Sequence, residues 1–165
     1  MANQEHVALI KKGVDGWNRW REENPDVKPD LAWANLVGTD LQGANLQNVN
    51  MKLAFCRGCN MKGANLKQAT LYGTNCEGAN LEDANLEGAT LEGAHLIGAN
   101  LARATLRQVN FRLANLQNAD LEGADLTDCA KLTPEQISSV KTLGNAKLDP
   151  RIKEQISNSH PNLTE

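Results

Sequence analysis

The chain has 165 residues, of which 4% are aromatic, with a net charge of −3 and an isoelectric point near 5.6. That length suits one domain, and so few aromatics cannot fill an ordinary mixed core, so the interior must come from stacked aliphatic side chains. The mild acidity lacks a basic footprint, which excludes a general nucleic-acid binder and leaves no direct nucleic-acid contact expected. The first stretch, MANQEHVALIKKGVDGW, mixes charges throughout, so the expectation is a cytoplasmic protein without a signal peptide or membrane span.

Residues 3–22 read as one amphipathic helix. Val7, Ile10, Val14, Trp17 and Arg21 fall on one face at three- and four-residue steps. Asn3 is the expected N-cap, and Gly13 and Gly16 weaken the middle. Asn24-Pro25 and Lys28-Pro29 then lead an extended linker into Leu31.

From there an apolar residue recurs at every fifth position: Leu31, Leu36, Leu41, Leu46, Met51, Cys56, Met61, Leu66, Leu71, Cys76, Leu81, Leu86, Leu91, Leu96, Leu101, Leu106, Phe111, Leu116, Leu121 and Leu126. Two residues before each, the chain is small, as at Ala34, Thr39, Ala44 and Val49, and then mostly Ala as far as Ala124. The slot between them is Asn, Asp or Thr in eighteen of twenty repeats, and Gly recurs two after the central residue, as at Gly38, Gly43, Gly63 and Gly73. A period of five fits neither helix nor strand. It fits a chain that turns a corner every five residues, so that four corners close a coil of twenty and five coils stack to about 24 Å. The central residues form the core, and Ala beside them avoids overpacking.

The run from ANL to EGA that repeats through "GANLEDANLEGATLEGAHLIGANL" resembles the pentapeptide repeat family, A(D/N)LXX. The resemblance implies an all-β solenoid, the right-handed quadrilateral β-helix. It spans residues 31–126 and implies no shared chemistry, since fold alone does not carry function. The expected organisation is an N-terminal capping helix and linker at 1–30, the β-helix at 31–130, and C-terminal capping helices and tail at 131–165. A solenoid exposes the backbone edge and apolar interior of its first coil, so Trp17 and Trp20 are the expected cover. A binding hot spot in WNRWR is the alternative. Cys56, Cys59, Cys76 and Cys129 all fall on inward slots and read as buried small hydrophobes.

Charge runs in belts. Lys52, Arg57, Lys62 and Lys67 form a basic ring, Glu77, Glu82, Glu87 and Glu92 follow, and Arg107 and Arg112 come next. Residues twenty apart should stack, placing Arg57 on Glu77, Lys62 on Glu82, and Lys67 on Glu87 on Arg107, as a cross-coil ion-pair ladder. Departures from the repeat mark the candidate partner patch. Phe55 and His95 take the Asn/Asp/Thr slot, in one column two coils or about 10 Å apart. Leu53, Tyr72, Ile97 and Leu113 put apolar groups on outward slots. The patch is centred on Phe55 and Tyr72, with Leu53 and His95 beside them.

After Leu126 the register is expected to fail. Thr133-Pro134-Glu135-Gln136 signals a helix start, with the helix running to about Leu143 and stopped by Gly144-Asn145. A second helix from Asp149-Pro150 to about Ser157 completes a lid over the last coil, and the tail SNSHPNLTE is expected to be loose. The three His residues are scattered, Cys56 and Cys59 lie on different corners, and no phosphate loop or paired catalytic carboxylates occur. The expected protein is therefore not an enzyme and uses no metal or cofactor. It is a rigid structural or protein–protein interaction module for an unknown protein partner, monomeric because helices cover both ends. The alternative that the resemblance offers is a DNA-mimic modulator of DNA gyrase, as in the family's fluoroquinolone-resistance members. Those are longer, strongly acidic and dimeric through their ends.

Overall fold

The computed structural model describes residues 2–160 and 163. Within the repeats, each central residue opens a tight turn. Ala34 N donates to Leu31 O at 3.0 Å, and the same bond recurs down the chain. The second residue after the central one holds φ between +56° and +68° in all twenty repeats. With φ negative just before it, this is the signature of a type II turn, which favours glycine there. Half of these positions are Gly. The other ten, among them Trp33, Leu53 and Leu113, each adopt a conformation that costs an L-residue about 1–2 kcal/mol.

The residue just before each central one carries the ladder. Parallel bridges join positions twenty apart in four columns, beginning Asp30↔Asn50, Asn35↔Phe55, Asp40↔Asn60 and Asn45↔Asn65. Asn and Asp dominate this slot for a local reason. All fifteen of them accept a hydrogen bond from the backbone N–H two residues on, at 3.0–3.3 Å. These Asx turns hold each corner. In the Asp40 column the amides also stack, Asn60, Asn80 and Asn100 each donating to the residue one coil earlier.

The four sides of the stack are numbered here by their first-coil turns, which begin at Leu31, Leu36, Leu41 and Leu46. All twenty central residues are buried, and the small slot beside them packs inside as well. Beyond the first coil, where that slot carries a polar group, the group bonds to the coil before. Cys59 Sγ donates to Leu36 O, Thr74 Oγ1 to Met51 O and Cys129 Sγ to Leu106 O. Cys56, Cys59 and Cys76 are buried, Cys129 is half-buried, and all four are free thiols.

The ends differ from the sequence expectation in two places. The N-terminal segment is two helices, not one: α1 (Gln4–Lys11) and α2 (Val14–Glu23). Gly13, at φ +131°, breaks the run, because few residues other than glycine adopt that backbone. At the other end α3 (Pro134–Ser138) starts at Thr133 with the expected capping box but ends after five residues. Residues 139–147 then return to the ladder instead of continuing as helix. The twenty-residue register runs on to Ala130, which bridges to Asn110, and then breaks as expected, while the ladder resumes at a spacing of twenty-two, Thr142 bridging to Asp120 and Lys147 to Asp125. The chain closes with α4 (Pro150–Ser159). Of the tail, Leu163 is half-buried and accepts from Leu143 N at 2.8 Å, while residues 161, 162, 164 and 165 lie outside the described residues. No helix among the described residues is long and apolar enough to cross a membrane.

Candidate partner-docking face

Outward slots alternate around the coil, so each side presents its own column of side chains. Sides 2, 3 and 4 carry most of the ion-pair ladder. Arg57 meets Glu77 at 3.9 Å, Lys62 meets Glu82 at 3.0 Å and Lys67 meets Glu87 at 2.9 Å. Arg103 clamps Glu82 and Asp83 from the next coil. The expected Glu87–Arg107 step does not close, because Arg107 turns to Asp128 at 3.8 Å. Lys62, then Arg103, hold the Glu82 carboxyl below the ordinary range. Arg103 does the same for Asp83, and Lys67 for Glu87.

Side 1 is different. Trp33, Phe55, Tyr72 and Leu113 are among the few exposed large apolar residues; Trp33, Tyr72 and Leu113 stand on its turns and Phe55 at its corner with side 2. Leu53 lies between them, half-buried. Leu53 N donates to Tyr72 O at 2.8 Å and Trp33 N to Lys52 O at 2.9 Å, which ties coils 1, 2 and 3 together directly beneath this cluster. Lys52 has no acidic residue one coil on, since Tyr72 takes that place, and its ammonium lies 5.2 Å from the Tyr72 ring centroid. The structure thus brings Phe55, Leu53 and Tyr72 together. His95 is exposed but stands two coils from Phe55, with Asn75 bridging between them. Ile97 is half-buried and belongs to side 2.

Two members of this surface escaped the sequence reading. Trp33 is 55% exposed at the top of side 1, and Val37, equally exposed, opens side 2 beside it. The available signal was a Trp in a slot where glycine is the commonest residue.

The first coil's open edge is covered unevenly. At the Asp30 corner, Asn3 N donates to Asp30 O, and His6 Nδ1 accepts from Asp30 N. At the Asn45 corner, Asn18 Oδ1 accepts from Asn45 N at 2.8 Å, Trp17 Nε1 donates to Asn45 O at 2.9 Å and Arg21 donates to Gln47 O. Trp17 is fully buried, and the half-buried Trp20 ring lies 5.3 Å from it and 4.9 Å from His6. The Asn35 and Asp40 corners have no such partners among the described residues. A groove of about 330 Å³ runs along the first of them, lined by Val7, Lys11, Ala32, Trp33 and Asn35. Another of about 370 Å³ lies at the second, between Gly13 and Asp40.

Chemistry elsewhere is sparse. Among the described residues no group of three or more His, Cys, Asp or Glu is placed to hold a metal ion. Contacts with the Cys59 and Cys76 thiols, together with burial, keep Cys56 well above its usual range, and burial pushes Cys129 up to about 12. Both are poor nucleophiles for that reason.

A family model for pentapeptide repeats matches eight copies that together span residues 30–128, more than half of the chain. The chain belongs to the pentapeptide repeat family. Membership implies the right-handed sense of the β-helix. Among solved structures, the chain is similar to HetL, a pentapeptide repeat protein involved in heterocyst differentiation regulation from the cyanobacterium Nostoc sp. strain PCC 7120. The two are 32% identical over 63% of this chain and 60% of HetL, with a TM-score of 0.49. This pentapeptide repeat chain thus matches less than two thirds of HetL's length. A pentapeptide repeat protein from the Arabidopsis thaliana thylakoid lumen is 28% identical over 66% of this chain and 72% of its own, at a TM-score of 0.44. QnrB1, a plasmid-mediated fluoroquinolone resistance protein, is 18% identical over 79% and 85%, at 0.34. No curated protein matches the chain.

Proposed function

We propose that this pentapeptide repeat protein is a rigid, non-catalytic module that docks a protein partner through side 1. The gathering of Trp33, Phe55, Tyr72 and Leu53 on the first three coils of side 1, while most of the ion-paired ladder lies on the other sides and the Glu92–Arg112 pair lies further along side 1, is the observation that supports this reading. Apolar surface gathered in one place and ringed by polar residues is a common mark of an interaction site, and Trp and Tyr are favoured anchors there. On this reading residues 1–30 and 131–165 are end covers, with Trp17 and Trp20 sealing the first coil. The 31–130 stack is the scaffold, and the protein works as a cytoplasmic monomer. A gyrase-directed DNA mimic would need a continuous acidic face. The ladder here alternates in sign from coil to coil, which disfavours that alternative.

The test is a triple variant, Trp33→Gly, Phe55→Asn and Tyr72→Gln. Each change restores a residue common at its slot or a polar surface, so stability should be preserved, and Trp33→Gly should relieve left-handed strain. Proteins captured by the wild type and released by the triple variant would support the docking face. If every captured protein stayed bound to the variant, side 1 would be excluded. Inhibition of purified gyrase by wild type and variant alike would revive the mimic reading instead.

A further inference from the structure

We propose that the Asn35 corner of the first coil accepts an extended, acidic segment of a partner protein as an added parallel strand, with an apolar side chain of that segment against Trp33. This rests on the reading that side 1 docks a protein, and it specifies what docks there and how. Within the stack, the residue below Asn35 shows what the corner lacks. Phe55 N donates to Ala34 O at 2.9 Å, and Phe55 O accepts from Leu36 N at 2.8 Å. Asn35 has neither bond toward the open end among the described residues. An edge of unpaired N–H and C=O groups is the template that strand addition uses.

The chain already shows what fits such an edge. Residues 139–147 run along the opposite end of the stack and continue the ladder with Lys141 N to Ala119 O and Leu126 N to Lys147 O, at 2.9 and 2.8 Å. The open end admits one strand and not a second copy of the stack. Ladder bonding needs an approach of about 4.8 Å, whereas α1 and α2 stand on the same end and are each about 10 Å across. A single extended chain can lie beside them in the groove between Val7 and Trp33.

Charge selects the segment's chemistry. Lys11 lines this groove, and Lys52 stands on the next coil of side 1, its backbone carbonyl accepting from Trp33 N. Among the described residues neither has a carboxylate within ion-pair distance, whereas Arg57, Lys62, Lys67, Arg103 and Arg112 all do. One cation in an apolar, open-edged groove, with a second on the adjoining face of side 1 over the Tyr72 ring, favours a segment carrying Asp or Glu beside an apolar anchor.

The experiment selects a display library of random dodecapeptides on the full chain. A recovered peptide is then titrated into the protein while backbone amide exchange is followed by NMR. Acidic peptides bearing an apolar residue are expected. On binding they should slow exchange of the Asn35 amide about tenfold or more and leave the already capped Asn45 amide unchanged. The exposed double variant Lys11→Glu/Lys52→Glu should weaken binding about tenfold or more. A peptide that shifts the Trp33, Phe55 and Tyr72 signals without slowing Asn35 exchange would overturn strand addition and leave the docking face standing. Basic peptides, or acidic ones indifferent to the double variant, would overturn the charge assignment and with it the proposal. Recovery of no peptide that perturbs side 1 would overturn both readings.

Discussion

Gly73 is glycine for two separate reasons. Its φ is +59°, in the left-handed region, and a Cβ built there would lie 2.6 Å from Leu53 Cδ2. The Leu53 side chain folds over Gly73 one coil on, which is why it is half-buried where its slot faces outward. Gly73→Ala should therefore cost about 1–2 kcal/mol from backbone strain, with an added contribution from the clash. Leu53→Ala should recover about 0.5–1 kcal/mol of that in a double-mutant cycle followed by urea unfolding. A coupling energy near zero would mean that Leu53 swings aside freely and strain alone sets the cost. At this scale much of the molecule was legible from the sequence. The central Leu, Met, Cys and Phe positions announce themselves by period, and all are buried. Trp33 was not legible, because the fifth-residue pattern says which slots face outward but not which outward neighbours gather across coils. The hydrogen bond from Thr74 to Met51 O escaped for the same reason, since its partner lies twenty-three residues away.

Between residue and fold, the elements at the two ends obey local signals that a periodic reading blurs. Heptad-like spacing carries through Gly13, so the N-terminal segment looks like one helix. One glycine at φ +131° decides otherwise. At the far end Thr133, Pro134 and Gln136 announce α3 correctly, but the sequence does not say that the following residues gain more from Ala119, Thr142 and Lys147 ladder bonds than from more helix. The N-terminal cover depends on single side chains. Asn18 both accepts from Asn45 N and donates to Gly43 O. Asn18→Ala removes both bonds at once and should cost about 1–2 kcal/mol. Amide exchange at Asn45 should then rise toward the rate of Asn35, which lacks a cover already. Unchanged protection at Asn45 would show that Trp17, not Asn18, seals that corner.

Across the whole molecule, most ion pairs stand on sides 2, 3 and 4, while most of the exposed large apolar residues gather on side 1 beside its Glu92–Arg112 pair, and the two surfaces should respond to different perturbations. Lys62 and Arg103 hold Glu82 below the ordinary carboxylate range, Arg103 and Lys62 do so for Asp83, and Lys67 for Glu87. A carboxyl whose pKa is depressed by folding refuses protons that the unfolded chain accepts. Its contribution to stability is complete above the unfolded pKa, about 4, and is lost as pH falls through the lower folded value. The urea midpoint should therefore stay nearly level from about pH 8 to 5 and decline below about pH 4. Lys62→Ala combined with Arg103→Ala removes the cations that depress Glu82 and Asp83 and should flatten that acid limb. The Trp33→Gly/Phe55→Asn/Tyr72→Gln variant lacks none of these pairs, so its acid limb should follow the wild type while its partner binding is lost. An acid limb unchanged by loss of Lys62 and Arg103 would place the acid sensitivity outside this part of the ladder. A limb altered by the side 1 variant would mean that the apolar patch and the Glu82–Asp83–Glu87 part of the ladder are coupled through the stack.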